Sequence, residues 1–189
     1  YRQQLLVYRY EQQYVEQRLD TVISEQEYRD FYEAHPGSFI THQPLIKGIY
    51  IKVSENSPNL NPIKSLYRSH VREDMDRLDQ LCYTSADKYY FFDEWVALDA
   101  IVDGMGMDAG TMASLLDGKS YVEKSYLGYA YLISVSDYVP AGRQAPYEYC
   151  RDMIRDVILS RRKQELLTSL ERNLLNDAIG SEKLKIYKE

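Results

Sequence analysis

Catalytic and metal sites are assembled mostly from histidines, cysteines and paired carboxylates, and in this chain those residues do not converge. The three histidines, His35, His42 and His70, share no HxH or HxxxH spacing. Zinc needs three or four ligands meeting at one point, so no metal site is expected. His70 and Cys82 fall on what reads as one helix, about 18 Å apart along its axis, too far for a thiol nucleophile to share a proton with the imidazole. No GxSxG nucleophile elbow occurs. Gly104-Met105-Gly106-Met107 lacks the third glycine, the preceding strand and the lysine of a phosphate loop, and reads as an ordinary loop. Arg161-Arg162-Lys163 interrupts the apolar side of a long helix and reads as a solvated face. Asp74/Asp76 and Asp93/Glu94 read as carboxylates on helix surfaces or at a helix start, where they complement the dipole. No cofactor is expected, and no motif commits the chain to an enzyme.

Composition narrows the field further. Of 189 residues, 44% are hydrophobic, which excludes wholesale disorder. No apolar run approaches the roughly 18–20 residues of a membrane span. With 23 basic against 29 acidic side chains and a net charge of −6, nucleic-acid binding is not expected, because that affinity is mostly charge neutralisation. Nineteen tyrosines stand against four phenylalanines and one tryptophan. Tyrosine pairs a wide apolar face with a polar tip, which suits half-buried grooves and peptide-contacting surfaces. Cys82 and Cys150 make no CxxC and no ligand spacing, leaving open one disulfide or two buried thiols. The chain opens at Tyr1 inside an apparent helix, as a processed or excised piece would, with any targeting signal upstream.

The elements that must position any site follow from periodicity. Residues 1–20 contain no Gly or Pro and carry Leu6, Val7, Tyr10 and Tyr14 at helical spacing. Ser24-Glu25-Gln26-Glu27 reads as a capping box, with Ser24 closing a second helix and Glu27 reaching back; Pro36-Gly37 ends it. Between Pro44 and Val53 the period becomes two, giving a strand with Ile49, Ile51 and Val53 facing a core and Gly48, Tyr50 and Lys52 facing away. Pro62 is placed to open a helix running to Cys82. Tyr89–Phe92 reads as a short buried strand, Trp95–Val102 as a short helix, and Ala109–Leu116 as another, stopped near Gly118. Leu127, Tyr129, Tyr131, Ile133 and Val135 alternate as a strand ended by Pro140-Ala141-Gly142. One long helix spans residues 146–179 with Gly180 as its stop, and a short strand, Lys183–Tyr187, closes the chain.

This organisation resembles a known family. The Ser-x-x-Glu helix with YRDFYEAHPGSF, a strand, a long helix, a short helical middle and the strand YLGYAYLISVSDYVPAG resemble a parvulin (PpiC-like) domain of a cell-envelope foldase. The ending APYEYCRDMIRDVILSRRKQELLTSLERNLLNDAIGSEKLKIYKE resembles that of SurA/PrsA-type chaperones. The resemblance implies an α+β fold: a parvulin-like, FKBP-type small antiparallel sheet with helices at 24–142, flanked by helices at 1–23 and 143–189 that belong to a SurA-like chaperone module. Active parvulins carry one histidine in the first strand and one in the last. Those positions fall at or next to Ile49 and at Ala130 or Tyr131, and neither is histidine here. The Gly-Gly-Leu-Gly turn is also absent, with FFDEWVALDA in its place.

The resemblance therefore implies binding of unfolded or extended client polypeptides in the periplasm or cell envelope, without robust prolyl isomerase activity. Tyrosine and methionine surfaces adapt to varied apolar segments, and the expected peptide-binding residues are Tyr50, Phe91, Trp95, Met105, Met107 and Tyr131. No catalytic residue is expected. The alternatives are an active isomerase with a rebuilt proline pocket and a purely structural interaction domain. Unpaired apolar stripes on the first and last helices make a homodimer an expected partner state.

Overall fold

The computed structural model describes residues 1–180. In chain order the elements are helices α1 (Arg2–Arg18) and α2 (Glu25–Ala34), strand β1 (Leu45–Ser54), helices α3 (Leu60–Leu66) and α4 (Arg72–Ser85), strand β2 (Ala86–Ala97), helices α5 (Leu98–Val102) and α6 (Ala109–Leu115), strands β3 (Tyr121–Tyr126) and β4 (Tyr129–Val139), and helix α7 (Tyr147–Gly180). The described chain is thus α+β, with seven α-helices and one four-stranded antiparallel sheet. It divides into two compact units, Tyr1–Ala34 with the described residues from Cys150 onward, and His35–Tyr149. The expected closing strand Lys183–Tyr187 lies outside the described residues.

The helical unit is built from α1, α2 and most of α7. At 34 residues, α7 is about 51 Å long, and it buries Cys150, Ile154, Ile158 and Leu170. Arg162 corrects the reading of the basic run as solvated. Its guanidinium donates to the carbonyls of Asp20 (2.7 Å) and Val22 (2.8 Å) and to both carboxylate oxygens of Glu27 (3.0 and 2.8 Å). The planar fork suits that set of acceptors, because its donors diverge at fixed angles. Arg161 lies 5.1 Å from the centre of the Phe31 ring. The capping box also needs correcting. Ser24 Oγ accepts from the Glu27 amide at 3.1 Å as expected, but the Glu27 carboxylate goes to Arg162 instead of reaching back. A charged donor makes a stronger bond than a helix-terminal amide.

The second unit is organised around β1. The strand order is β2-β1-β4-β3, so β1 and β4 are central and both faces of β1 are buried. This corrects the expectation of a one-sided strand. On one face Ile49, Ile51 and Val53 pack with Ala130 and Leu132 of β4 beneath α3 and α4, through Ile63, Tyr67, Leu78 and Cys82. On the other, Ile46 and Tyr50 pack with Tyr131, Ile133 and Val135 beneath α5 and α6, through Leu98, Ile101, Met112 and Leu116.

The helix expected from Pro62 to Cys82 is two helices. Ser69 breaks it by bonding locally: its amide donates to Leu66 O at 2.9 Å, and its hydroxyl accepts from the Val71 amide and donates to Asp74 at 2.6 Å. Serine offers the backbone this alternative to a helical bond. Val71, at the N-cap of α4, is exposed. Strand β2 is a twelve-residue, half-exposed edge strand, longer and less buried than expected, and it takes in Asp93, Glu94 and Trp95, which were read as helical. At the far edge, β3 is unanticipated. The Leu127 expected in a strand instead forms, with Gly128, the β3–β4 turn, with φ of 49° and 81°; paired positive φ is what a tight two-residue hairpin requires. Among the described residues no helix is long and apolar enough to cross a membrane.

Candidate functional site

The candidate site lies on the α5/α6 side of the sheet, where those helices leave part of β2 uncovered beside Tyr50 of β1. Tyr50 of β1 pairs directly with Tyr90 of β2, which puts both side chains on one face. Their rings are stacked, 6.0 Å apart and inclined by 29°. With Lys88, Ala100, Ile101 and Asp103 they line a cleft of about 230 Å³. Tyr50 is 7% exposed and forms the cleft's inner end, while Tyr90, 58% exposed, forms its rim. Behind Tyr50, the Tyr131 ring of β4 lies 6.4 Å away.

Each wall is held by its own local bonds. The start of α5 is tied to the entry of β1, with the Leu98 amide donating to Pro44 O (3.0 Å) and the Asp99 amide to Gln43 Oε1 (2.8 Å). The loop after α5 is clasped from the β3–β4 hairpin. Tyr131 Oη donates to Gly104 O and Lys124 Nζ to Gly106 O, both at 3.1 Å. Gly106 has φ of +68°, and a Cβ there would stand 2.5 Å from the Tyr126 ring, so any side chain there is strained and must displace the ring. Asp108 caps α6 by accepting the Thr111 amide at 2.6 Å, a bond that holds its carboxyl below the usual carboxylate range.

The electrostatics suit binding more than proton transfer. Burial, helped by the neighbouring Tyr131, pushes Tyr50 up to about 12, so it stays neutral at physiological pH. Lys52 on the same face is neutralised by Asp87 at 3.6 Å and covers the Tyr129 ring at 4.3 Å. Cys82 and Cys150 are both buried thiols, raised to about 12 and about 11 by burial; protonated thiols of this kind are poor nucleophiles. Among the described residues no group of three or more His, Cys, Asp or Glu is placed to hold a metal ion.

The structure brings four of the six expected peptide-binding residues to this face: Tyr50 and Tyr131, buried Met105 beneath the loop, and half-buried Met107 at its end. Phe91 packs on the opposite face, against the α3/α4 side. Trp95 sits in a bulge of β2, its ring 4.9 Å from Lys47 Nζ. Sequence reasoning missed Tyr90, Lys88 and Asp103. Alternation along residues 88–92 was the available signal for the first two, but without knowing that β2 pairs with β1 it gave no face.

No known family's profile matches the chain, and no curated protein matches its sequence. Among solved structures, one neighbour comes from work on the virulence factor PEB4 and the periplasmic protein Cj1289, described as structurally related SurA-like chaperones of Campylobacter jejuni. It shares 11% identity over 100% of this chain and 71% of that chain, with a TM-score of 0.36. Likeness of that degree fixes neither fold nor function.

Proposed function

We propose that this chain is a chaperone-like protein that binds unfolded or extended client polypeptides in the periplasm or cell envelope. In this reading residues 24–142 form a degenerate parvulin-like domain, and 1–23 and 143–189 supply helices of a SurA-like chaperone module. The observation that carries it is the cleft. It is concave and aromatic, burial keeps Tyr50 neutral, and no nucleophile or metal cluster converges on it among the described residues. The parvulin resemblance puts its two histidines at or next to Ile49 and at Ala130 or Tyr131, and on the cleft face those strands carry Tyr50 and Tyr131. Tyrosine supplies contact area at low entropic cost and accommodates varied side chains, as a client-binding surface requires.

Apolar side chains exposed on α1 (Leu5, Leu6) and on the last turns of α7 (Leu174, Leu175, Ile179) add surface that a client or a second copy would cover. The test pairs two assays: suppression of aggregation of an unfolded protein, and cis–trans isomerisation of a short Xaa-Pro peptide. The reading expects suppression with the peptide rate at background. A rate clearly above background would favour the alternative, an isomerase with a rebuilt pocket.

A further inference from the structure

Strand β2 is the sheet's edge, paired with β1 on one side and with no other strand among the described residues. Long edge strands are templates for further pairing unless something blunts them. Here the blunting is confined to the ends. The register with β1 is regular from Lys88 to Phe92, with irregularities on either side, at Asp87 and across Asp93–Trp95. Between them the edge is flanked by rings on both faces, with Tyr90 on the cleft side and Tyr89 and Phe91 on the other. A strand laid along Lys88–Phe92 would have aromatic surface beside its side chains above and below the sheet.

The charges at the ends are unequal. Asp87 is answered by Lys52 at 3.6 Å. Asp93 and Glu94 have no ion pair among the described residues, and Lys47, opposite them on β1, is turned onto the Trp95 ring instead. We infer that β2 takes up an extended polypeptide segment as a fifth strand, and that the segment carries Lys or Arg where it passes Asp93 and Glu94. Backbone bonds of this kind read no side chains and supply the affinity, while charge and the flanking rings select the segment. A second copy of this chain would bring its own uncompensated Asp93 and Glu94 and a net charge of −6, so the basic partner is the better occupant. The inference rests on the proposed client binding and specifies its mode.

The probe is a nine-residue peptide of alternating valine and threonine, made with lysine at both ends, with glutamate at both ends, and with lysine ends plus N-methylation along one backbone edge or the other. Amide hydrogen exchange and fluorescence anisotropy of the full chain are the readouts. The lysine-ended peptide is expected to slow exchange within Lys88–Phe92 and to bind at least about tenfold more tightly than the glutamate-ended one. That preference should reverse in the double variant Asp93→Lys, Glu94→Lys. One N-methylated peptide should bind and the other should not. Slowed exchange only elsewhere, binding by both N-methylated forms, or self-association of the chain through β2 would overturn the inference. If aggregation is suppressed while β2 amides are unaffected, only this mode fails; if no unfolded polypeptide is bound at all, client binding itself fails.

Discussion

Tyr131 of β4 donates its hydroxyl to the carbonyl of Gly104 at 3.1 Å, while its ring lies 6.4 Å from that of Tyr50 on β1. One side chain thus backs the cleft's inner tyrosine and fixes the loop that continues from its far wall. The two tyrosines differ in what their hydroxyls do. Tyr50 contributes its ring, and no hydrogen bond from its hydroxyl to another described residue is seen, whereas Tyr131 contributes both ring and bond.

Tyr131→Phe is therefore expected to lower stability by about 1 kcal/mol, the net worth of a typical hydrogen bond, and to weaken client binding by loosening the loop. Tyr50→Phe should leave client affinity within about twofold of the wild type, because the ring is kept. Urea unfolding and titration with an unfolded polypeptide measure both. A Tyr50→Phe variant that loses binding altogether would show that the hydroxyl acts directly.

Gly106→Ala and Gly104→Ala separate packing from backbone strain. Both glycines have positive φ, but a Cβ at Gly104 meets open space and one at Gly106 meets the Tyr126 ring. Alanine at 104 should cost about 1 kcal/mol for its conformation alone. Alanine at 106 should cost about 2–4 kcal/mol, because the ring must also move. Equal losses in thermal melts would contradict this account of the loop.

Arg162→Ala removes a donor to two carbonyls and one carboxylate. The guanidinium is 23% and Glu27 43% exposed, so solvent screens part of the ion pair. A loss of about 1.5–3 kcal/mol is expected, the range of one charge-assisted bond, not the sum of four. Arg162→Lys should recover less than half of it, because an ammonium cannot span diverging acceptors. Chemical denaturation followed by a probe in the helical unit reports this directly.

Alkali should weaken the fold. Cys82, Cys150 and Tyr50 have folded values of about 12, about 11 and about 12 against ordinary values of 9.0, 9.0 and 10.0, all raised first by burial. The unfolded chain therefore releases these protons first. The stability they protect is intact below about pH 9 and is lost as pH rises through 11–12, at a slope of about 1.4 kcal/mol per pH unit for each proton. Urea midpoints measured from pH 8 to 11 should fall, and less steeply in Cys82→Ala. A flat profile to pH 11 would contradict the burial of these groups.

How much of this was legible in the sequence follows from the range of the forces involved. Local signals were read correctly where one residue type fixes one bond. Ser24 caps α2, Pro36-Gly37 ends it, and the alternation from Tyr129 to Val135 is a strand. The errors came where tertiary partners decide. The period-two pattern of β1 showed one apolar face, because Tyr50 does not declare itself buried until β4, α5 and α6 cover it. Glu27 satisfied the capping-box pattern, yet its carboxylate was taken by an arginine 135 residues later in the chain. The cleft was half visible. Tyr50 stood out by type, but Tyr90 joins it only through the β1–β2 register, which no spacing within either strand specifies.

Amide chemical-shift mapping of the isotope-labelled chain during titration with a permanently unfolded, carboxymethylated protein tests the central claim most directly. Binding in the tyrosine cleft predicts that the largest shifts concentrate at Lys88–Phe92 of β2 and at Ala100–Met107 along α5 and its loop, and that Tyr90→Ala, which removes the exposed rim ring, weakens affinity about tenfold with little change in stability. Shifts confined to α1 and α7, with the cleft amides unmoved and Tyr90→Ala binding as the wild type does, would contradict it.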